Sequence, residues 1–541
     1  MHVTEKTTES SDNFIIGVYN SGTLRNGTIN PLRTFLTKQT CPINMANNHA
    51  AQQNGRKKTQ SSDVAVVMVP LPAQGHLNQL LHLSRLIAAR NIPVYYVGAA
   101  THIRQARLRV QGWNPSGIAN IQFHEFPLTP FENPLPDPKA PTKFPGQILP
   151  SLRASTLSRG PVYGFVEEIS RAFRRVVVIY DSLMSYVVQD IDSVQNADCY
   201  SFRSISAFAV SSWEALDSPD NLPIEAEILK DIPSLDGYYP PEFAEFLNLQ
   251  RGTRKIFSAE IYNSCREIEG LYLDLLEKRK RNGAEKLWAI GPFNPVSVPE
   301  ERDFRNRHKS LQWLDRQGLN SVIFVSFGTT SSLSDEQIKE ISFGLERSGQ
   351  KFIWVLRDAD KGDIFSGDVT KYELPDGFEK RVEERGVVVR DWAPQLEILG
   401  HPSTGGFMSH CGWNSCLESI SMGVPMATWP MHSDQPSNAV LITKVLKIGV
   451  QVKCWSRQDE LVSSLTVETA VRKLMVSEEG DWGKETGCRI RGCCQEIGGG
   501  RRCPQGDRFL HCSHYCINII QSRGINDNIY NYYFTSITTL S

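Results

Sequence analysis

The sequence has no excess of charge of either sign. Its 541 residues carry a formal net charge of −1, so no bulk field favours nucleic acid or an anionic membrane. It has no uninterrupted apolar run long enough to span a bilayer. Its opening, MHVTEKTTESSDNF, has no apolar signal-peptide core, and a cytoplasmic protein is expected. Also missing are a Gly-x-Gly-x-x-Gly turn after a strand, a P-loop, HExxH and Gly-x-Ser-x-Gly. The segment GDWGKE at 480–485 has neither the P-loop spacing nor its Ser/Thr. Nicotinamide, flavin and ATP chemistry therefore gain little support, and no cofactor or metal is expected. Cysteine is thin over most of the chain: Cys41, Cys199, Cys265, Cys411, Cys416 and Cys454 are scattered as free thiols would be in a reducing compartment.

What is present is a composition ordinary for globular proteins, 40% hydrophobic and 22% charged, in a chain too long for one core. Residues 1–62 are polar and aperiodic and are expected to be disordered, with Met45 a candidate start inside them. Order begins at VAVVMVPLP (64–72), an apolar β-branched run that reads as a buried parallel strand. A helical pattern carrying Leu77, Leu80, Leu81, Leu83, Leu86 and Ile87 follows, then the strand IPVYYVGA, giving a βαβ unit. RRVVVIYDS (174–182) reads as a strand, KIFSAEIYNSC (255–265) as a mixed segment, and LWAIGPFNPV (287–296) closes the first half. Residues 296–310, Pro-rich and then charged, form the expected linker between domains at 63–295 and 311–481. In the second half the strands SVIFVSFGT, KFIWVLRD, GVVVRDWAP, TGGFMSHCG and VPMATWP alternate with helices, one opened by a Ser334–Gln337 capping pattern. The fold class is therefore α/β with two doubly wound, Rossmann-like domains, whose ligands belong at the carboxyl ends of strands.

The stretch HCGWNSCLES (410–419) packs hydrogen-bonding groups where a strand ends and a helix begins. Free N–H groups and the helix dipole make that junction an anion site, suited to a diphosphate, with His410, Asn414 and Ser415 as added donors. Glu418 would suit two vicinal ribose hydroxyls, or would cap its own helix in an S-x-x-E box with Ser415. Trp392 directly follows a strand and offers a ring to a base, with Gln395 near the base's edge. Asp434 and Gln435, at another strand end, suit sugar hydroxyls or a plain helix cap. His76, at the turn from the first strand into the first helix, is either a structural imidazole or a base near the right pKa.

The 44 residues from Trp392 to Gln435, with His401, HCGWNS, Glu418 and DQ in register, resemble the signature box of plant family 1 UDP-glycosyltransferases. That resemblance implies the GT-B fold, two Rossmann-like domains facing across a cleft, with a UDP-sugar held by the second. It implies that Trp392 stacks on uracil, Gln395 contacts it and Glu418 binds ribose. His410, Asn414 and Ser415 would hold the diphosphate, and Asp434 and Gln435 the sugar, with a closing Gln usual for glucose. Ala393 and Trp413 count among the box's donor-binding residues, and Thr329 in SFGTT keeps the hydroxyl of a related turn. The family's PxPxQGH segment carries the base, here His76, and Asp181 in VVVIYDS matches the carboxylate that orients it, or is a plain strand-end helix cap.

Much of residues 64–480 further resembles zeatin (cytokinin) O-glycosyltransferases. The expected activity is inverting transfer of glucose from UDP-glucose to a hydroxyl of zeatin or a related cytokinin, by a monomer. Flavonoid, terpenoid or other phenolic acceptors are the alternative. Phe131, Phe208 and Trp213 are candidates for an apolar slot that takes a planar ring, or equally for core. Past Asp481 the resemblance stops and six cysteines crowd into 488–516. A reading-frame change there is expected rather than a zinc site, because the Cys and His spacings fit no familiar ligand pairs. With such a tail, residues 482–541 would not fold as in relatives, and the chain could be an inactive UDP-sugar-binding remnant.

Overall fold

The computed structural model describes residues 63–217 except 128 and 141, then 228, 230–232, 239–253, 257–281, 286–295, 307–366 and 372–478. Beyond these it describes only residues 480, 483, 485–487 and 490. The expected disordered extension (1–62), residues 296–306 of the linker and nearly all of the Cys-rich tail lie outside the described residues.

The first lobe is a parallel sheet of β1 (Val64–Val69), β2 (Val94–Ala99), β3 (Ile121–Phe126), β4 (Arg175–Asp181), β5 (Ala197–Arg203), β6 (Phe257–Tyr262) and β7 (Lys286–Ala289), in the order β3-β2-β1-β4-β5-β6-β7. The second is a parallel sheet of β8 (Val322–Ser326), β9 (Lys351–Val355), β10 (Gly386–Val389), β11 (Thr404–Ser409), β12 (Met426–Thr428) and β13 (Gly449–Gln451), in the order β10-β9-β8-β11-β12-β13. Every residue of β1, β4, β8 and β11 is buried, which is why β1, β4 and β8 read as largely continuous apolar runs and why β11, TGGFMS, carries only small or apolar residues. Apolar clusters cover both faces of each sheet.

Two sequence expectations shift. The first strand stops at Val69 rather than running to residue 72, because Pro70 and Pro72 have no N–H to give a ladder. The helix after β11 starts at Trp413, with Gly412 as a cap that makes no side-chain bond. Ser415 therefore lies inside the helix, and no S-x-x-E box forms with Glu418. The cap at Ser334 does form, its Oγ accepting from the Gln337 N–H at 3.2 Å. Gln337 does not complete the reciprocal half of that box; its amide bonds instead to the Val462 backbone at 2.9 and 3.0 Å.

In both sheets the strand order reverses beside the central strand, between β1 and β4 and between β8 and β11. Crevices open at such reversal points. His76 follows β1 and Asp181 ends β4; Gly328 follows β8 and His410 follows β11.

Candidate active site

His76 is the third residue of the helix Gln74–Ala88. Its Nδ1 lies 2.7 Å from Asp181 Oδ2 and 2.8 Å from Ser204 Oγ. A carboxylate only accepts, so Nδ1 carries the proton and Nε2 keeps a lone pair. Asp181 has no exposure, and its second oxygen accepts from the Leu183 N–H at 3.0 Å. The carboxylate thus caps a short turn and orients the imidazole at once. Burial alone would lower the His76 pKa. The Asp181 charge and hydrogen bond, with the Asp434 charge, more than offset this, and the net direction is upward.

Between the lobes lies a polar cavity of about 750 Å³. From the second lobe it is lined by Trp392, Ala393, Gln395, His410, Asn414, Ser415 and Glu418, with Gly328 and Thr329 beside them. From the first lobe Gln74 and Gly75, the residues just before His76, complete it. Asn414 Nδ2 donates to the Gly75 carbonyl at 2.9 Å, so the box touches the turn that carries His76.

Inside the cavity the polar groups answer one another. Gln395 Nε2 donates to Ser415 Oγ at 3.0 Å and to Glu418 Oε2 at 2.8 Å. Burial pushes Glu418 up to about 7, against the hydrogen bond from Gln395. His410 is the exception. Its ring is wedged between Gly328 and Gly412, where any Cβ would run into it, and its Nδ1 is buried without a partner. Burial lowers its pKa to about 4, so the ring is neutral near pH 7. A buried polar atom left unmet costs about 1–3 kcal/mol, which a ligand oxygen at this spot would relieve.

Asp434 and Gln435 are buried but do not line that cavity. Gln435 Oε1 accepts from the Met431 and His432 N–H groups at 2.9 and 3.0 Å. Asp434 Oδ2 accepts from Asn438 Nδ2 at 2.8 Å, and burial pushes its pKa up to about 6 against that bond and the His76 charge. Trp413 departs from its expected place: its indole N–H donates to the Asn263 carbonyl of the first lobe at 3.0 Å, so the side chain serves the lobe boundary rather than the cavity.

Several groups escaped the sequence reading. The Arg109 and Arg357 guanidiniums lie 4.7 and 5.6 Å from the Trp392 ring centre. Asp360 holds both, at 2.5 Å from Arg109 and 2.7 Å from Arg357. Gln111 bridges to the Ala393 carbonyl at 3.2 Å and the Leu396 N–H at 2.8 Å. The pairs made by Arg109 and Gln111 join residues hundreds of positions apart, so no local spacing announces them; Arg357 and Asp360 are three residues apart, but nothing in their spacing ties them to Trp392. Two signals were readable: Gly412 two residues after His410, and the i,i+4 spacing of Asp434 and Asn438.

A second, apolar cavity of about 670 Å³ lies in the first lobe, walled by Leu77, Ile103, Phe126, Val162 and Met184. The aromatic residues proposed for an acceptor slot are not among its walls. Phe208 is core, edge-on to Tyr272, and Phe131 stacks on His102 against Gly362. Among the described residues no group of three or more His, Cys, Asp or Glu side chains could hold a metal, and no helix is long and apolar enough to cross a membrane.

Comparison with known proteins accounts for both lobes. Residues 62–295 match the family model "Glycosyltransferase, N-terminal domain", and residues 306–479 match "UDP-glucoronosyl and UDP-glucosyl transferase". A zeatin O-glucosyltransferase of Phaseolus lunatus is 51% identical, over 85% of this chain and 99% of that protein. A zeatin O-xylosyltransferase of Phaseolus vulgaris is 52% identical, over 77% of this chain and 90% of that protein. A Siraitia grosvenorii UGT transferase solved in complex with UDP superposes with a TM-score of 0.64 at 26% identity, covering 84% of this chain and 99% of that one. Two parallel-sheet lobes around a cleft are the GT-B fold, and the chain belongs to the UDP-glucoronosyl and UDP-glucosyl transferase family as a UDP-glycosyltransferase.

Proposed function

We propose that this enzyme transfers glucose from UDP-glucose to a side-chain hydroxyl of zeatin or a related cytokinin, with inversion at the anomeric carbon. The observation that carries the substrate assignment is the 51% identity to a zeatin O-glucosyltransferase across nearly all of that protein. The geometry supports the mechanism. With its Nδ1 proton held by Asp181, His76 takes the acceptor's proton on Nε2. The acceptor oxygen bonds to the anomeric carbon as that carbon's bond to the diphosphate oxygen breaks, and UDP leaves carrying the electron pair. The imidazolium that forms is stabilised by Asp181.

The donor is held by the second lobe. Uracil stacks on Trp392 beside Ala393 and Gln395, and the ribose hydroxyls donate to Glu418. The diphosphate lies at the start of the helix Trp413–Met422, against His410, Asn414, Ser415 and Thr329. Aligned N–H groups there stabilise the charge that develops on the leaving group. Asp434 and Gln435 face the sugar. The apolar cavity beside Leu77 and Met184 suits the flat, weakly polar body of a cytokinin.

A second reading, xylose as the donor sugar, is favoured by the relative that is 52% identical. One assay tests both: purified full-length protein with UDP-glucose or UDP-xylose, against zeatin and a panel of phenols. Zeatin glucoside formation, lost in His76→Ala, is expected. Turnover of phenols alone would overturn the acceptor assignment, and full activity of His76→Ala would overturn the base.

A further inference from the structure

We propose that Asn438 is a positioning residue: its side-chain amide fixes the sugar-facing carboxylate of Asp434 in register with the His76 base across the lobe boundary. This rests on the roles given above to Asp434 and His76. Asn438 has no exposure and lies one helical turn beyond Asp434. One amide hydrogen goes to Asp434 Oδ2 at 2.8 Å and the other to the Cys411 carbonyl at 2.9 Å. Its oxygen accepts from Ser206 Oγ at 2.7 Å. Both hydrogens are used and the oxygen is engaged, so the amide has no donor left for substrate and acts through the groups it holds.

Those three groups belong to three parts of the proposed machinery. Asp434 faces the sugar. Cys411, at φ 66°, is the left-handed residue that turns the chain directly after His410, and a non-glycine residue holds that conformation only where its surroundings enforce it. Ser206 is buried in the first lobe, two residues past Ser204, whose hydroxyl touches His76 Nδ1 at 2.8 Å. One amide therefore ties the sugar carboxylate and the phosphate turn to the segment that braces the base. An aspartate at 438 would set oxygen against the Asp434 carboxylate and the Cys411 carbonyl. A leucine would fill the space and remove all three hydrogen bonds.

The test is a pair of double-mutant cycles read by donor kinetics. Asn438→Leu is expected to lower kcat/KM for UDP-glucose by roughly 10-fold or more, and to add less than about 3-fold in an Asp434→Asn background. Equal losses in both backgrounds would reduce Asn438 to structural glue and overturn the proposal. Should Asn438→Leu not fold, Ser206→Ala reads the same link with one oxygen removed. It is expected to lower kcat by about 3- to 10-fold with UDP affinity, by calorimetry, within about 2-fold, and to have no further effect on Asp434→Asn. Ser206→Thr, which keeps the hydroxyl, is expected to recover activity. A Ser206→Ala loss that is the same on Asp434→Asn, or that falls on UDP affinity, overturns the link. If Asp434→Asn alone leaves donor kinetics unchanged, the reading of Asp434 has failed, and that outcome is distinct from failure of the cycles.

Discussion

His76 and His410 sit on opposite sides of the strand reversal in their two lobes: His76 follows β1, the counterpart of β8, and His410 follows β11, the counterpart of β4. Each follows a central strand, at the point where strand order reverses, next to the start of a helix. Their chemistry is opposite. His76 is 23% exposed and faces a buried carboxylate, and its pKa is raised. His410 has no carboxylate partner, is pressed between two glycines, and its pKa falls to about 4. The two sides of one reversal point thus hold a proposed proton acceptor in one lobe and a neutral hydrogen-bonding ring in the other. The partner that the neighbouring strand supplies decides which: Asp181 from β4, or Gly328 after β8. Location at a strand end finds a site but does not name its chemistry.

The largest effect should come from removing the titrating ring. His76→Ala is expected to lower kcat by about 10³-fold, within the range for a lost general base. UDP affinity should stay within about 2-fold, because His76 does not line the donor cavity. The mirror experiment, His410→Asn, should weaken UDP binding and leave the pH dependence of kcat where it was, since a ring with a pKa near 4 does not titrate near neutrality. A shift of the acid limb in His410→Asn would break the comparison.

Asp181→Asn should come next, with kcat down by about 10²-fold as the ring loses its orientation and charge partner. The sign of its pH effect follows from the causes. Burial lowers the His76 pKa, and Asp181 is the main group raising it. Without Asp181 the pKa falls, and the acid limb of the rate profile moves to lower pH even as the plateau drops. A limb that moved upward would mean that another group carries the base.

Apolar runs such as VAVVMV and VIFVS announced the four central strands, because burial on both faces demands such runs. IQFHEF did not announce β3, an edge strand with a half-exposed His and an exposed Glu. Nor did ADCYSFR announce β5, where buried Ser201 and the Arg203–Glu260 pair at 2.8 Å break the apolar pattern. The box residues from Trp392 to Glu418 were legible because they fall in one short span of the sequence, and seven of them share one cavity. The Arg109–Asp360–Arg357 cluster on Trp392 was not legible, because the lobes come together only on folding. Trp413 looked like a ligand contact for the opposite reason. It sits inside the motif, yet its N–H bonds to a carbonyl 150 residues away.

The glycine side of the comparison is tested by Gly328→Ala. Gly328 has φ +80°, and its added Cβ would press into the His410 ring. A left-handed alanine costs about 1–2 kcal/mol before any clash. UDP affinity should fall by roughly 10- to 30-fold as His410 is displaced, with the kcat pH profile unchanged. An unchanged affinity would mean that the wedge between the glycines does not serve the diphosphate.

The smallest effect, and the most informative about electrostatics, should come from Glu418→Gln. Burial pushes the Glu418 carboxyl up to about 7 in the unliganded protein, well above its ordinary 4.5. Ribose hydroxyls favour the ionised form, so UDP affinity should rise as pH passes through about 7, with proton release on binding. Gln cannot ionise, so that share of the release should vanish and affinity at pH 8 should drop by about 3- to 10-fold. Stability should move the other way. A carboxyl whose folded pKa is raised binds more protons in the native state than in the unfolded one between 4.5 and about 7. The wild type therefore loses stability as pH rises through that window. At pH 8 the ligand-free Glu418→Gln protein should melt higher than the wild type, while at pH 4 the difference should disappear. A residue whose loss weakens ligand binding and strengthens the empty fold is held in place by its ligand, whereas a plain helix cap would lose stability on substitution at every pH.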